Sequence, residues 1–314
     1  MTGSIAAGAA GGGVSETLDP ANTKSIYMSH GNTGYQGLLR CSGVADTDPC
    51  RQLFLNTSAT ASDNAWSASF WIYTASTQAF KIFAGRFENY GVYFALASGR
   101  PYLYIKNSDG DDYLPVTPNT SAGKVNDGNW HNVTYTYDGS GLRSGFKIYI
   151  DATSQSLSAW SPTYDSDIGK GASGNSTSPL NTTVGTASGG ISFTIGFHRS
   201  NGIASIYYAT AIYFDEVSLW DCELAAGEVT DIYNSGDPKN LNAHAQASKL
   251  VRWYRMGDHA DDVMTGGTSD TADAADSDSR IVDVSTAAGY SRYDAHAPYK
   301  SLIASQVVIA TAAP

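Results

Sequence analysis

The sequence predicts an all-β protein: two antiparallel sheets closed into a sandwich or barrel, with one short helix. Three observations predict it. Roughly ten short runs rich in β-branched and aromatic residues follow one another, each bounded by turn residues. Several of these runs alternate between apolar and polar side chains, the period of a strand with one face on a core. No long helical pattern separates them, which excludes a parallel α/β architecture.

The runs, in chain order, are SIYMS from Ser25, RQLFLN from Arg51, SASFWIYT from Ser67, KIFAGRF from Lys81, YGVYFALAS from Tyr90 and PYLYIKN from Pro101. WHNVTYTYD from Trp130, FKIYIDA from Phe146, ISFTIGFH from Ile191, SIYYATAIYF from Ser205 and DEVSLWD from Asp215 complete the series. In FKIYIDA, Phe146, Ile148 and Ile150 share one face. In WHNVTYTYD the odd-numbered positions do so. Five glutamates (Glu16, Glu88, Glu216, Glu223, Glu228) against many aspartates also favour loops between strands, since Asp prefers turns and caps.

The helix is expected after DEVSLWD. Val229, Ile232 and Tyr233 recur at helical spacing, and Gly236 stands where a left-handed terminating residue belongs. Ala225 and Ala226 occupy the start in place of a capping serine, so the helix depends on packing. Its single apolar stripe is expected to seal an open end of the sandwich. LVRWYRMGD, Leu250 to Asp258, reads as a further strand. An Asp-rich stretch then reads as a solvated loop, and RIVDVS and SLIASQVVIATAAP as final strands. So apolar a last strand must pair with its own sheet edge or with a neighbour. Three parts follow: a Gly/Ala-rich flexible arm (1–23), the main domain (24–258), and an acidic loop with a C-terminal strand (259–314).

Charge and composition narrow the function. The net charge is −11 with no Lys/Arg cluster, which argues against nucleic acid. No run is long and apolar enough to cross a bilayer, and the first residues lack the pattern of an export signal. Sequons at Asn56, Asn119, Asn132, Asn175 and Asn181 are expected by chance in a chain rich in Ser, Thr and Asn. Cys41 and Cys50 bracket the turn-like SGVADTDP and are candidates for a disulfide, although nothing establishes an oxidising compartment. Cys222 reads as a buried inert thiol.

WHNVTYTYDGSG followed by FKIYIDA resembles the paired strands of laminin-G-like, concanavalin-A-like jelly rolls. ISFTIGFHRSNG is similar to that family's "L-x-I-G" strand, and YYATAIYFDEVSLWDCELAAGEVTDIYNSG to its closing strand and short helix. SASFWIYT and KIFAGRFENYGVYFALASGRPYLYI occupy the places of its earlier strands, so the resemblance runs from Lys24 to Leu241. It implies a two-sheet antiparallel jelly-roll sandwich. The tail resembles, more loosely, extensions on such domains in bacteriophage structural proteins.

The fold hosts lectins, adhesion modules, hydrolases and lyases, so the chemistry decides. Related glucanases carry E-x-D-x-E or E-x-D-x-x-E on one strand, and this chain has neither. Asp215 and Glu216 are adjacent, and on a regular strand they face opposite ways. His198 and Arg199 stand near Tyr207 and Tyr208 but match no lyase pattern. Such jelly rolls often hold calcium at a sandwich edge. Asp109, Asp111 and Asp112 around Gly110 supply suitable oxygens, as do Asp165 and Asp167, against the simpler reading of Asp/Gly hairpin turns. Tyr113, Trp160 and Tyr164 offer stacking faces for glycans in loops, while Trp66, Trp71, Trp130, Trp220 and Trp253 are expected in the core or flanking strands.

The expectation is therefore a non-enzymatic structural protein of a phage virion, decorating the capsid or forming part of a tail or spike. The arm and the C-terminal strand would hold neighbouring virion proteins or further copies of the chain, with host-surface glycans as a secondary contact. The alternative is a free or cell-surface, calcium-dependent lectin.

Overall fold

The computed structural model describes residues 21–28, 39–40, 53, 64–77, 80–87, 90–106, 112–118, 123–140, 143–158, 192–195, 197–198, 207–208, 211–264, 279–288, 294–296, 307–311 and 313–314. Within them two large antiparallel sheets form. The first runs β10 (Thr153–Ser154), β9 (Phe146–Ile150), β8 (Trp130–Tyr137), β3 (Trp66–Thr74), β15 (Ile212–Trp220), β1 (Ser25–Met28) and β20 (Val307–Ala310). β16 (Leu250–Tyr254) also pairs with β15. The second runs β11 (Leu157–Ser158), β7 (Asp112–Pro118), β6 (Arg100–Lys106), β5 (Tyr90–Ala97), β4 (Phe80–Phe87) and β12 (Ser192–Ile195). It continues through β2 (Leu39–Arg40), β19 (Ala295–His296), β18 (Ser279–Ile281) and β17 (Val263–Met264). A small separate ladder pairs β13 (Phe197–His198) with β14 (Tyr207–Tyr208).

The core between the sheets follows the alternation of the strands. Trp66, Ala68, Phe70 and Ile72 of β3 point inward and are fully buried, as are Val133 and Tyr137 of β8. Phe94 of β5 meets them from the second sheet, edge-on to Trp66 at 5.5 Å and to Tyr135 at 4.8 Å. Each such ring contributes about 1.5–3 kcal/mol by burial. The β5–β6 connection is a tight turn in which Ser98 (φ 52°) and Gly99 (φ 79°) are both left-handed. A Cβ on Gly99 would lie 1.9 Å from Asn126 Oδ1, so the close approach demands glycine. Asp151 and Ala152, also at positive φ, close the β9–β10 hairpin.

The back of the first sheet is covered as well. The helix Ala226–Tyr233 buries Val229 and Ile232 in a second apolar cluster with Trp220, Leu224, Leu241, Leu250, Trp253 and Tyr149. It therefore lies on the outer face of that sheet, where a seal on the open end of the sandwich was expected. Ser67 fixes its approach: its hydroxyl donates to Cys222 O (2.8 Å) and accepts from Leu224 N–H (2.9 Å). Glu228 supplies the missing cap, accepting from Ala225 N–H at 2.7 Å. The left-handed residue that ends the helix is Asn234 (φ 47°), two positions before the expected Gly236.

Three strand expectations change. The end of SIYYATAIYF and most of DEVSLWD form one strand, β15, apart from Tyr207 and Tyr208 in β14, and its register slips between Asp215 and Ser218. Two residues, Glu216 and Val217, there oppose the single Phe70, a β-bulge with Glu216 at φ 48°. The bulge sits where the partner on the second edge of β15 changes from β1 to β16. Leu53 is helical and buried where RQLFLN reads as a strand. β7 was not anticipated. The tail joins both sheets: β17, β18 and β19 extend the second, and β20 pairs with β1, its own sheet edge.

Candidate functional site

The bulge decides where the adjacent carboxylates go. On a regular strand they would face apart; here both are buried in one cluster behind the first sheet, with Asp258 from the turn after β16. Glu216 is well bonded: Oε2 accepts from Trp253 Nε1 (2.5 Å), and Oε1 accepts from Arg255 Nε and Asn22 Nδ2, both at 3.3 Å. Asp215 Oδ1 accepts from Glu216 N–H (2.8 Å), while its fully buried Oδ2 has no partner. Asp258 accepts from Thr23 N, Thr23 Oγ1 and Lys24 N at 2.9–3.3 Å. The cluster thereby ties down the segment leading into β1. Burial, then the charge of Glu216, pushes Asp215 well above the usual carboxylate range. Burial raises Glu216 to about 7 even though Arg255 pulls it down. Residues 22–24, leading into β1, and the stretch from Trp253 to Asp258 thus enclose both carboxylates in hydrogen bonds and packing.

The neighbouring outward row, two residues nearer the start of β15, is less covered. Trp130, Tyr73, Tyr213 and Tyr27 occupy one transverse row, each in register with the next across β8, β3, β15 and β1. All four are partly exposed. The ring centroids of Trp130, Tyr73 and Tyr213 lie 5.5–6.2 Å apart, mutually inclined by 56–87°. Tyr27 adjoins Tyr213 at 4.6 Å. The Asp127–Asn129 turn borders the row: Gly128 N–H donates to Thr74 O, and its Cβ position lies 3.8 Å from the Tyr73 hydroxyl. Asp127 accepts from the backbone and amide of Asn129 (2.9 and 3.0 Å) and pairs with His131 Nε2 (3.0 Å). Those hydrogen bonds, that of the Asn129 side chain foremost, lower its pKa to about 2. Asp151 holds the other imidazole nitrogen at 2.8 Å, and the two carboxylates raise the pKa of His131.

Of the residues singled out by sequence, Asp109, Asp111, Trp160, Tyr164, Cys41, Cys50, Asp165, Asp167 and Arg199 lie outside the described residues. Asp112 and Tyr113 open β7, in register with Lys106 and Ile105. His198 pairs in register with Tyr207. Cys222 is a free thiol whose pKa burial pushes up to about 11. Trp66, Trp71, Trp220 and Trp253 are buried, and Trp130 is not. Among the described residues no group of three His, Cys, Asp or Glu side chains is arranged to hold a metal, and no helix is long and apolar enough to cross a membrane. The aromatic row went unnoticed in the sequence. Its one signal is that Tyr27 and Tyr213 each stand between two inward-facing apolar residues, and Tyr73 between Ile72 and Thr74, on the face where a polar side chain is usual.

A laminin-G-type family model described as the concanavalin A-like lectin/glucanases superfamily matches residues 51–230. No curated protein matches. Among solved structures, the native heptameric SAP-like pentraxin from Limulus polyphemus is 12% identical, with a TM-score of 0.40 over 68% of this chain and 82% of that one. A Bacteroides ovatus protein described as carbohydrate-binding is 14% identical, with a TM-score of 0.48 over 92% of this chain and 60% of that one. The receptor-binding domain of botulinum neurotoxin type G is 16% identical, with a TM-score of 0.34 over 68% and 51%. With a family match across more than half of its length, on two packed antiparallel sheets, the chain belongs to the concanavalin A-like lectin/glucanases superfamily.

Proposed function

We propose that this jelly roll is a non-catalytic, carbohydrate-binding structural protein carried on a phage particle, as a capsid decoration or a tail or spike component. One observation carries the binding part: on the outer face of the first sheet the paired carboxylates are sealed and bonded, while the aromatic side chains are left partly open. Hydrolysis of a glycosidic bond needs two carboxyl groups about 5 to 9.5 Å apart flanking the substrate. Glu216 instead holds Asn22, Trp253 and Arg255, and Asp215 holds the Glu216 amide. The particle setting is supported by the chain's layout. β1 and β20 pair antiparallel at one sheet edge, Ser25 opposite Ala310, so the start of β1 and the end of β20 lie side by side. There they can engage neighbouring particle proteins or further copies of the chain.

Deleting residues 1–20 tests the setting: the variant keeps its fold and sugar binding but fails to enter particles. Equal incorporation of the truncated protein would refute the attachment role. A glycan array with the full chain tests binding, and a blank array refutes it. Release of reducing ends from a polysaccharide by the wild type, lost on Glu216→Gln, would instead make it a glycosidase.

A further inference from the structure

We infer that Trp130, Tyr73 and Tyr213, extended by Tyr27 and bordered by the Asp127–Asn129 turn, form the sugar site, and that its ligand is a single uncharged glycan chain lying across the strands. The inference rests on the binding function proposed above and gives that function a location. Four adjacent strands about 4.8 Å apart make the row roughly 14 Å long, enough for about three linked sugar rings. Rings in register across strands commonly serve only to brace a sheet. These do brace it, yet they remain partly exposed, whereas Trp71, Asn132, Thr134 and Trp220 on the same face are buried.

Ring geometry selects the form of the ligand. A flat crystalline polysaccharide needs coplanar rings, whereas here the three central rings are inclined by 56–87° to one another. Such a cradle fits the C–H face of one sugar at a time, on a chain free to turn between residues. Charge selects the class. Asp127 is 53% exposed and stays ionised through the neutral range, and Asn129 is exposed beside it. A carboxylate and an amide accept from and donate to sugar hydroxyls, and the carboxylate repels sulfated or uronic glycans.

The test uses the full chain with soluble hexasaccharides of β-glucan, α-mannan and chitin, read by calorimetry and by tryptophan fluorescence. Microcrystalline cellulose serves for a pull-down. Trp130→Leu and Tyr73→Leu keep apolar bulk and remove the aromatic face. Trp160→Ala and Tyr164→Ala serve as loop controls. The inference expects the wild type to bind at least one hexasaccharide and to ignore the crystalline polymer. Each row variant should bind at least 10-fold more weakly, with circular dichroism unchanged and the loop controls unaffected. Unchanged affinity in both row variants, or loss confined to the loop controls, overturns the location while leaving the binding function standing. Retention on microcrystalline cellulose overturns the single-chain reading. A wild type that binds no hexasaccharide overturns location and function together. If Trp130→Leu proves unfolded, Tyr73→Leu and Tyr27→Leu decide alone.

Discussion

Asp215→Asn converts the buried carboxyl cluster into a measurable pH effect. Asp215 Oδ2 is buried without a partner, and so is Asn22 Oδ1 in the same cluster. A buried acceptor without a donor is costly, and a proton on Asp215 turns Oδ2 into a donor and removes the charge that burial penalises. Glu216, with three donors including Arg255, is the better place for the charge. An asparagine at 215 copies the protonated form: its oxygen still accepts from Glu216 N–H, and its amide takes the orphaned position. The sign follows from proton binding. The folded-state pKa of Asp215 is raised, so between the ordinary carboxylate value and the folded value the native protein holds a proton that the unfolded chain has lost. Wild-type stability therefore falls as pH rises through that window, by about 1.4 kcal/mol per pH unit for one proton. The variant cannot ionise there and escapes that loss. Relative to wild type it should gain stability as pH rises above the ordinary carboxylate value, at up to about 1.4 kcal/mol per pH unit. Urea denaturation followed by tryptophan fluorescence at several pH values measures the difference. Parallel stability profiles, or an Asp215→Asn protein several kcal/mol weaker at pH 7, would show that the native carboxyl is ionised and sink the reasoning.

Trp66→Ala empties a site packed by Phe94, Tyr137 and Phe146 and should cost about 3–5 kcal/mol, read by the same denaturation. Gly99→Ala places a methyl against Asn126 at positive φ and disturbs the Asn126–Ser76 bond; a loss above about 1 kcal/mol is expected as a lower Tm. His131→Gln removes an imidazolium held by Asp127 and Asp151. Because the pKa of His131 is raised, its contribution is complete below the ordinary imidazole value and fades as pH rises through the folded value. The variant should be about 1 kcal/mol weaker at pH 5.5, with a gap that narrows in alkaline buffer when the two melting curves are compared.

Much of the sandwich could be read from the chain because strand parity is local. Phe146, Ile148 and Ile150, or Phe70 and Ile72, declare their inward face from spacing alone, and the structure buries them. Pairing order is not local. Nothing near Tyr73 says that its neighbours across the sheet are Trp130 and Tyr213, and the aromatic row exists only once β8, β3 and β15 are in register. The bulge at Glu216 escaped for a related reason. The pattern F-D-E-V admits a regular strand, and only the change of partner from β1 to β16 calls for an extra residue. The helix showed its apolar stripe, but which surface would receive it depended on Trp220 and Trp253, which the bulges of the paired strands turn to the outer face beside Val229 and Ile232.

The pairing of β1 with β20 also governs how the molecule is made. The outer edge of β1 is covered only once β20 has been made, so that edge of the first sheet closes after every other described strand exists. Until then β1 offers unpaired amides and carbonyls to any other nascent copy nearby. Synthesis speed and chaperone cover over the interval between β1 and β20, more than the strength of the core, should set the yield of native protein in a cell.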